Sequence, residues 1–231
     1  MRTGTLAQMN SEAAPNPWIS WSYVQDNAPE ILGYLGQHAG LTIQAVLIAV
    51  VVAVPLAALA HAWPRLSGPI LGTTGVLYTI PSLALFAVVY PFLRDRRATV
   101  LLGLVLYALL LLVRNTLVGL STVDPAVREA ARGLGYGRWR LLFRVELPNA
   151  LPSVMTGLRL AAVSTVALVT VGVVIGYGGL GQLMFRGFAS GYRAQIMTAT
   201  LLCLALALVI DLVLYLVGKA LTPWARTAGA R

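Results

Sequence analysis

From Leu41 to Trp63 the chain runs through 23 consecutive residues without one Asp, Glu, Lys or Arg. A helix over that stretch rises about 34 Å at 1.5 Å per residue, enough to cross the ~30 Å hydrocarbon layer of a bilayer. Apolar stretches recur at about Ile70–Tyr90, Ala98–Leu120, Ser153–Ile175 and Ala194–Val217. Inside hydrocarbon every backbone N–H and C=O must be satisfied by the chain itself, and for runs of about 20 apolar residues the helix is the form that does so. The expected fold is therefore all-α, a polytopic membrane protein of about five transmembrane helices. Composition agrees: 58% of residues are hydrophobic and 11% charged, against about 25% charged in a typical soluble domain. A single soluble core is the alternative, and the run lengths speak against it.

Within the spans, Pro55 is placed to kink the first, and Pro81, in YTIPSLALF (Tyr78–Phe86), removes a backbone donor in the middle of the second. GYGGLG (Gly176–Gly181) reads as a flexible turn after the fourth. No internal repeat and no linker divides the chain. It is expected to comprise residues 1–40 as an extracytoplasmic tail and interfacial segment, 41–222 as the membrane domain with a loop at 121–152, and 223–231 as a cytoplasmic tail. The start has only Arg2 as a positive charge and no early apolar core, so it does not read as a cleaved signal peptide. Trp18, Trp21 and Tyr23 suit the membrane interface, and Ile31, Leu32, Tyr34 and Leu35 fit one face of a helix lying along the membrane surface.

The formal net charge is +9. The arginines flank or interrupt apolar runs, so they point to membrane topology and anionic lipid headgroups and not to nucleic acid. With the N-terminus outside and the C-terminus inside, nine Lys and Arg fall on the cytoplasmic side and six outside, a modest preference for that orientation. Arg94, Arg96 and Arg97 count against it. The one cysteine, Cys203, and the two histidines, His38 and His61, form no metal-ligand spacing and read as packing residues. No catalytic constellation is present.

The stretch EAARGLGYGRWRLLFRVELP (Glu129–Pro148) is the longest polar interruption between spans. Asp124-Pro125 is a helix start, with Asp as the cap and Pro at the first turn. Val127, Ala130, Ala131 and Leu134 recur at helical spacing. Gly135 suits a left-handed helix end. Arg138–Val145 is expected as a second short helix, terminated at Leu147-Pro148 because proline disfavours helix in the residue before it. Two short amphipathic helices joined by a glycine turn can serve either as an interfacial element or as a docking element, and local physics leaves both open.

The segment resembles the coupling loop of permease subunits in binding-protein-dependent ABC importers. That pattern, Glu-Ala-Ala, three residues, Gly, nine residues, Ile, one residue, Leu-Pro, is met by Glu129, Ala130, Ala131, Gly135, Val145, Leu147 and Pro148, with Val145 in place of Ile. The resemblance implies a type I importer permease whose two-helix cytoplasmic loop inserts into a cleft of an ATPase subunit, so that ATP-driven closure switches the pore between inward- and outward-facing states. It covers roughly Gly40 to Thr222. Leu41–Ala57, YTIPSLALF, Val113–Thr116 and Gly176–Phe185 are similar to the osmoprotectant subgroup, which carries glycine betaine, choline, carnitine and related quaternary amines. Permeases for methionine, sulfonates or other small solutes share much of the scaffold and remain alternatives, as, further off, do an ATP-independent carrier and a membrane scaffold.

No GxxxxGK[ST] motif occurs, so ATP and Mg are expected on a separate ATPase chain and no cofactor or metal on this one. The resemblance also implies a second permease copy or paralogue, an extracytoplasmic solute-binding protein, and residence as a multi-pass protein of the cell membrane. Quaternary ammonium groups are held by aromatic faces, which makes Tyr78, Phe86 and Tyr107, with Pro81 and Ser82 at the break, candidates for the substrate path.

Three charges fall inside spans: Arg114, Arg159 and Asp211. A charge at the bilayer centre costs roughly 2.5–3.5 kcal/mol on insertion scales. Each lies six residues, about 9 Å, from the expected cytoplasmic end of its span. Asp211 is expected to pair with Arg159 or Arg114; separate snorkelling to the interface is the alternative. Gly178–Tyr192 is expected as an outer loop; Arg186 and Arg193 either stay solvated there, the simpler reading, or meet acidic groups of a solute-binding protein.

Overall fold

The backbone is satisfied helix by helix in the computed structural model, which describes residues 16–224. Ten α-helices follow in order: α1 (Trp21–Asp26), α2 (Ala28–Ala62), α3 (Pro64–Thr79), α4 (Ser82–Leu93), α5 (Arg96–Ser121), α6 (Pro125–Gly133), α7 (Arg138–Leu141), α8 (Leu147–Val169), α9 (Leu180–Ser190) and α10 (Arg193–Leu221). A π-helical turn, Leu142–Glu146, joins α7 to α8, and a 3₁₀ segment, Thr170–Ile175, extends α8. No strand occurs among the described residues. The tail residues 1–15 and 225–231, with Arg2, Arg226 and Arg231, lie outside them.

Among the described residues, four stretches are long and apolar enough to cross a membrane: Ala28–Ala62, Arg96–Ser121, Arg138–Ile175 and Arg193–Leu221. A further pair, α3 and α4, is apolar enough only when taken together, as a broken span or a re-entrant loop. Between α3 and α4 the axis bends by 94°, at the Ile80-Pro81 step where the proline supplies no donor.

α2, α5 and α8 form the core. Ala45, Ala49, Ala53 and Ala57 recur every four residues on α2 and are fully buried with Leu104 and Leu112 of α5 and Ala161 of α8. Such small side chains let helix backbones approach closely. The same device joins α5 to α8: a Cβ on Gly119 would lie 2.7 Å from Ser153 Cβ, and one on Gly157 would lie 2.6 Å from Asn115 Cβ.

The structure departs from the sequence expectations at several elements. Residues 28–40 do not form a separate helix along the membrane surface; they are the start of α2. Ile31, His38, Leu41, Ala45 and Ala49 keep a three-, four- or seven-residue spacing without a breaker, so one buried stripe runs through. Tyr34 and Leu35 pack against Leu180, Leu183 and Ala194. Leu147-Pro148 does not end a helix. The π turn passes the amide of Leu147 to Leu142 O, Asn149 Nδ2 donates to Val145 O at 2.7 Å, and helical structure continues from Arg138 to Ile175. Gly178–Tyr192 is not a loop: Leu180–Ser190 is α9. Finally, the Arg94/Arg96/Arg97 cluster has a structural use. Arg94 closes α4 in the left-handed region, Arg96 lies against Gly176, and Arg97 donates to Gln44 Oε1 at 2.8 Å, tying α5 to α2.

Candidate coupling loop and translocation face

The loop after α5 is built by its caps. Asp124 accepts the Ala126 amide through Oδ1 at 2.8 Å and starts α6 with Pro125 behind it. At the other end Gly135 takes φ +79°, its amide reaches Arg132 O, and the Tyr136 amide reaches Ala131 O. That pair of bonds is the Schellman arrangement, which uses glycine because a Cβ is penalised in the left-handed region. The chain turns, and Arg138 stacks over Trp63 at 4.4 Å while Trp139 meets the same ring edge-on at 6.2 Å. The loop therefore sits at the end of α2 as well as between α5 and α8.

Of α6, only Ala131 is buried. Glu129 and Ala130 are exposed, with Val127 42% and Leu134 76% exposed. The apolar face expected from helical spacing is thus divided: Ala131 faces the body, and Val127, Ala130 and Leu134 face outward. Trp139 and Phe143 extend this outward apolar ridge. Of the remaining motif positions, Val145, Leu147 and Pro148 are half-buried in the π turn and the start of α8.

Arg159 and Asp211 meet. Arg159 Nε donates to Asp211 Oδ1 at 2.8 Å and Nη2 to Oδ2 at 2.7 Å, a two-pronged contact joining α8 to α10. Tyr215 stands beside the guanidinium, 5.2 Å from its centre. Arg114 is not part of this: it is exposed on α5 and has no ion pair among the described residues.

The break between α3 and α4 opens a cavity of about 440 Å³ whose walls include Tyr78, Ile80, Pro81, Ser82, Tyr107 and Ser164. Tyr107 donates its hydroxyl to Ile80 O, the carbonyl just before the proline, and meets Tyr78 edge-on at 5.8 Å. None of the cavity's lining residues is charged. Phe86 does not belong to it. It is fully buried against Gly103, where a Cβ would lie 2.4 Å from Phe86 Cε1. Its position five residues past the proline turns it into the α4–α5 contact.

Arg186 is engaged within the chain. Nη1 contacts Glu30 Oε1 at 2.5 Å and Nη2 donates to the Tyr34 hydroxyl at 2.6 Å, so α9 is fastened to α2. The bond to Glu30 holds the Arg186 pKa above its ordinary value. Arg193 stacks on Trp18 at 5.2 Å.

Two polar nodes escaped sequence reasoning. His38, fully buried, receives the Leu180 amide at Nδ1 (3.3 Å). Nε2 therefore carries the proton and donates to Val166 O at 2.9 Å. That carbonyl needs a donor because Thr170, at the 3₁₀ switch, turns its amide to Leu168 O. The second node is Glu146, whose carboxylate lies 3.0 Å from Arg128 Nε and 3.3 Å from His61 Nε2. An acidic residue between apolar ones, in RVELP, is the only local hint of it.

Residues 45–227 match the model of the family described as binding-protein-dependent transport system inner membrane component. The chain belongs to this family. Among curated relatives, the osmoprotectant import permease protein OsmW of Salmonella typhimurium is 40% identical over 209 residues, covering 87% of this chain and 96% of the relative. The carnitine transport permease protein OpuCB of Listeria monocytogenes is 35% identical over 87% of this chain and 93% of the relative. The glycine betaine/carnitine/choline permease protein OpuCD of Bacillus subtilis is 34% identical over 90% and 91%. The fold matches the inward-facing MetNI methionine ABC transporter with a TM-score of 0.76 at 21% identity, over 83% of this chain and 96% of that one. The permease is thus a multi-pass membrane component of a binding-protein-dependent importer, with the all-helical fold of type I permeases.

Proposed function

We propose that this permease forms the membrane path of an ATP-driven importer for a quaternary-amine osmoprotectant such as glycine betaine, choline or carnitine. The observation that carries the substrate class is the near full-length identity to permeases so named: 40% to one named for osmoprotectants, 35% to one named for carnitine and 34% to one named for glycine betaine, carnitine and choline. The cavity at the α3–α4 break supports it. Its neutral walls, the Tyr78 and Tyr107 rings and the hydroxyls of Ser82 and Ser164 suit a cation that offers no N–H to donate.

In this reading Glu129 and Ala130 lie on the outward face that meets a cytoplasmic ATPase binding ATP and Mg, while the buried Ala131 and the turn at Gly135 set the orientation of α6. Val145, Leu147 and Pro148 carry the movement into α8. A second permease, identical or paralogous, closes the path, and an extracytoplasmic binding protein delivers solute. Membrane lipids cover the remaining apolar faces. The N-terminus is outside and the C-terminus inside, which puts the coupling loop, the Trp63 end of α2 and Lys219 on the cytoplasmic side together.

The test is uptake of labelled glycine betaine in the host and in a strain lacking this permease, with carnitine, choline and methionine as competitors. Loss of uptake on deletion and competition by the quaternary amines alone is the expected result. Unchanged uptake, or competition by methionine, would overturn the substrate class.

A further inference from the structure

The loop helix that faces outward is held to the membrane body by little apolar contact, since Ala131 is the one residue of α6 that is buried. Its polar tether is Arg128, the residue next to Glu129. Arg128 Nη2 donates to Leu120 O at 2.6 Å, near the end of α5, and Nε lies 3.0 Å from Glu146 Oε1. Glu146 closes the π turn that leads into α8, and its side chain is 7% exposed. Its other oxygen, Oε2, lies 3.3 Å from His61 Nε2, next to the last residue of α2. One carboxylate therefore joins α2, α6 and α8, and through Arg128 also α5.

Two features separate this node from a simple brace. A buried ion pair is a poor source of net stability compared with apolar packing of the same volume, because both charges lose water. Its use is to fix geometry. Moreover, the Arg128 Nε–H is not aimed along the short contact and finds no hydrogen-bond acceptor. The pair is held by charge with its directional bond unmade, so a small rotation of α6 improves or breaks it. The π turn makes the same point from the other side. Such turns insert one residue into a helix and sit where a helix has to place a side chain against its regular register. Beside the node is a cavity of about 480 Å³ whose walls include His61, Arg132, Tyr136 and Glu146, leaving room for the side chains to move.

We propose that Glu146 is a positioning residue for energy coupling: it transmits tilting of α6 to the cytoplasmic ends of α2, α5 and α8. When the ATPase pulls on Glu129 and its neighbours, Arg128 moves with them, and the Glu146 carboxylate carries that displacement to His61 and into α8. The proposal rests on the importer reading given above.

The experiment uses the whole importer, this permease with its ATPase and binding protein, reconstituted in proteoliposomes. Solute taken up per ATP hydrolysed is measured for the wild type, Glu146→Gln, His61→Gln, Arg128→Gln and the double variant Glu146→Gln/Arg128→Gln. The expected result is an assembled complex in which Glu146→Gln lowers uptake per ATP at least about tenfold. The double variant should be no worse than the single one, because members of one network are not additive. His61→Gln, which removes one of the two contacts, should fall between. Unchanged uptake per ATP in an assembled Glu146→Gln complex overturns the proposal. So does a multiplied loss in the double variant. So does failure of both Glu146→Gln and His61→Gln to assemble, which would make the node a structural brace. If the wild-type permease brings no ATPase with it, the importer reading itself is what fails.

Discussion

At the scale of single residues, the polar groups inside the spans set the sharpest expectations. Replacing His38 by Ala leaves the Val166 carbonyl and the Leu180 amide without their partner in a fully buried place. Each such group costs about 1–3 kcal/mol, so thermal unfolding of the purified permease should move clearly downward, while His38→Gln should recover part of the loss. Gly157→Val should cost about 1–3 kcal/mol, because the added atoms enter the closest α5–α8 approach, where a Cβ alone lies 2.6 Å from Asn115 Cβ; a variant as stable as the wild type would contradict that packing. For Asp211→Asn the expectation is a lower melting temperature with Arg159 deprived of its carboxylate, and restoration by the exchange Arg159→Asp with Asp211→Arg. An exchanged pair no better than the single variant would show that the contact is incidental. The existence of three charges inside the spans was legible in the chain; which of them meet was not, because the choice between Arg159 and Arg114 depends on the rotation of α5 and α8 about their axes. Pairing of residue 61 with residue 146 had no sequence signal beyond one acidic residue among apolar ones.

At the scale of elements, the sequence was most informative where one residue does a local job. Asp124, Pro125 and Gly135 define the limits of α6 through bonds to their immediate neighbours, and the structure has those bonds. It was least informative where a neighbour decides. The rule that proline ends a helix fails at Pro148 because the π turn reassigns the bonds around it, and the opening of α2 reads as a surface helix until α9 and α10 are there to cover it. Gly135 supplies a test at this scale. A β-branched residue in the left-handed region costs roughly 1–2 kcal/mol, so Gly135→Val should reorient α6 and weaken association with the ATPase about tenfold, with the spans left folded. Near-UV and far-UV circular dichroism would confirm the fold, and retention of the ATPase through purification would report the association.

At the scale of the molecule, the loop after α5 and the turn at Gly191 lie at opposite ends of the helices. Arg138 and Trp139 against Trp63 put the loop after α5 at the far end of α2 from α1, while Asn16 donates to Gly191 O at 2.8 Å at the opposite end. A cysteine at Ser190 should then react with a membrane-impermeant maleimide on intact cells, and one at Ala126 only after permeabilisation; the reverse pattern would invert the proposed orientation. The face of α10 and the outer sides of α3 and α4 remain apolar and exposed, as expected of surfaces that meet lipid or a second permease. The importer function proposed for this permease depends on the loop being a joint to an ATPase. The most direct measurement is affinity purification of the tagged permease from its host in mild detergent, with mass spectrometry of what accompanies it. The account predicts an ATPase in stoichiometric amount. Recovery of the permease without one, under conditions that keep a known importer whole, would contradict it.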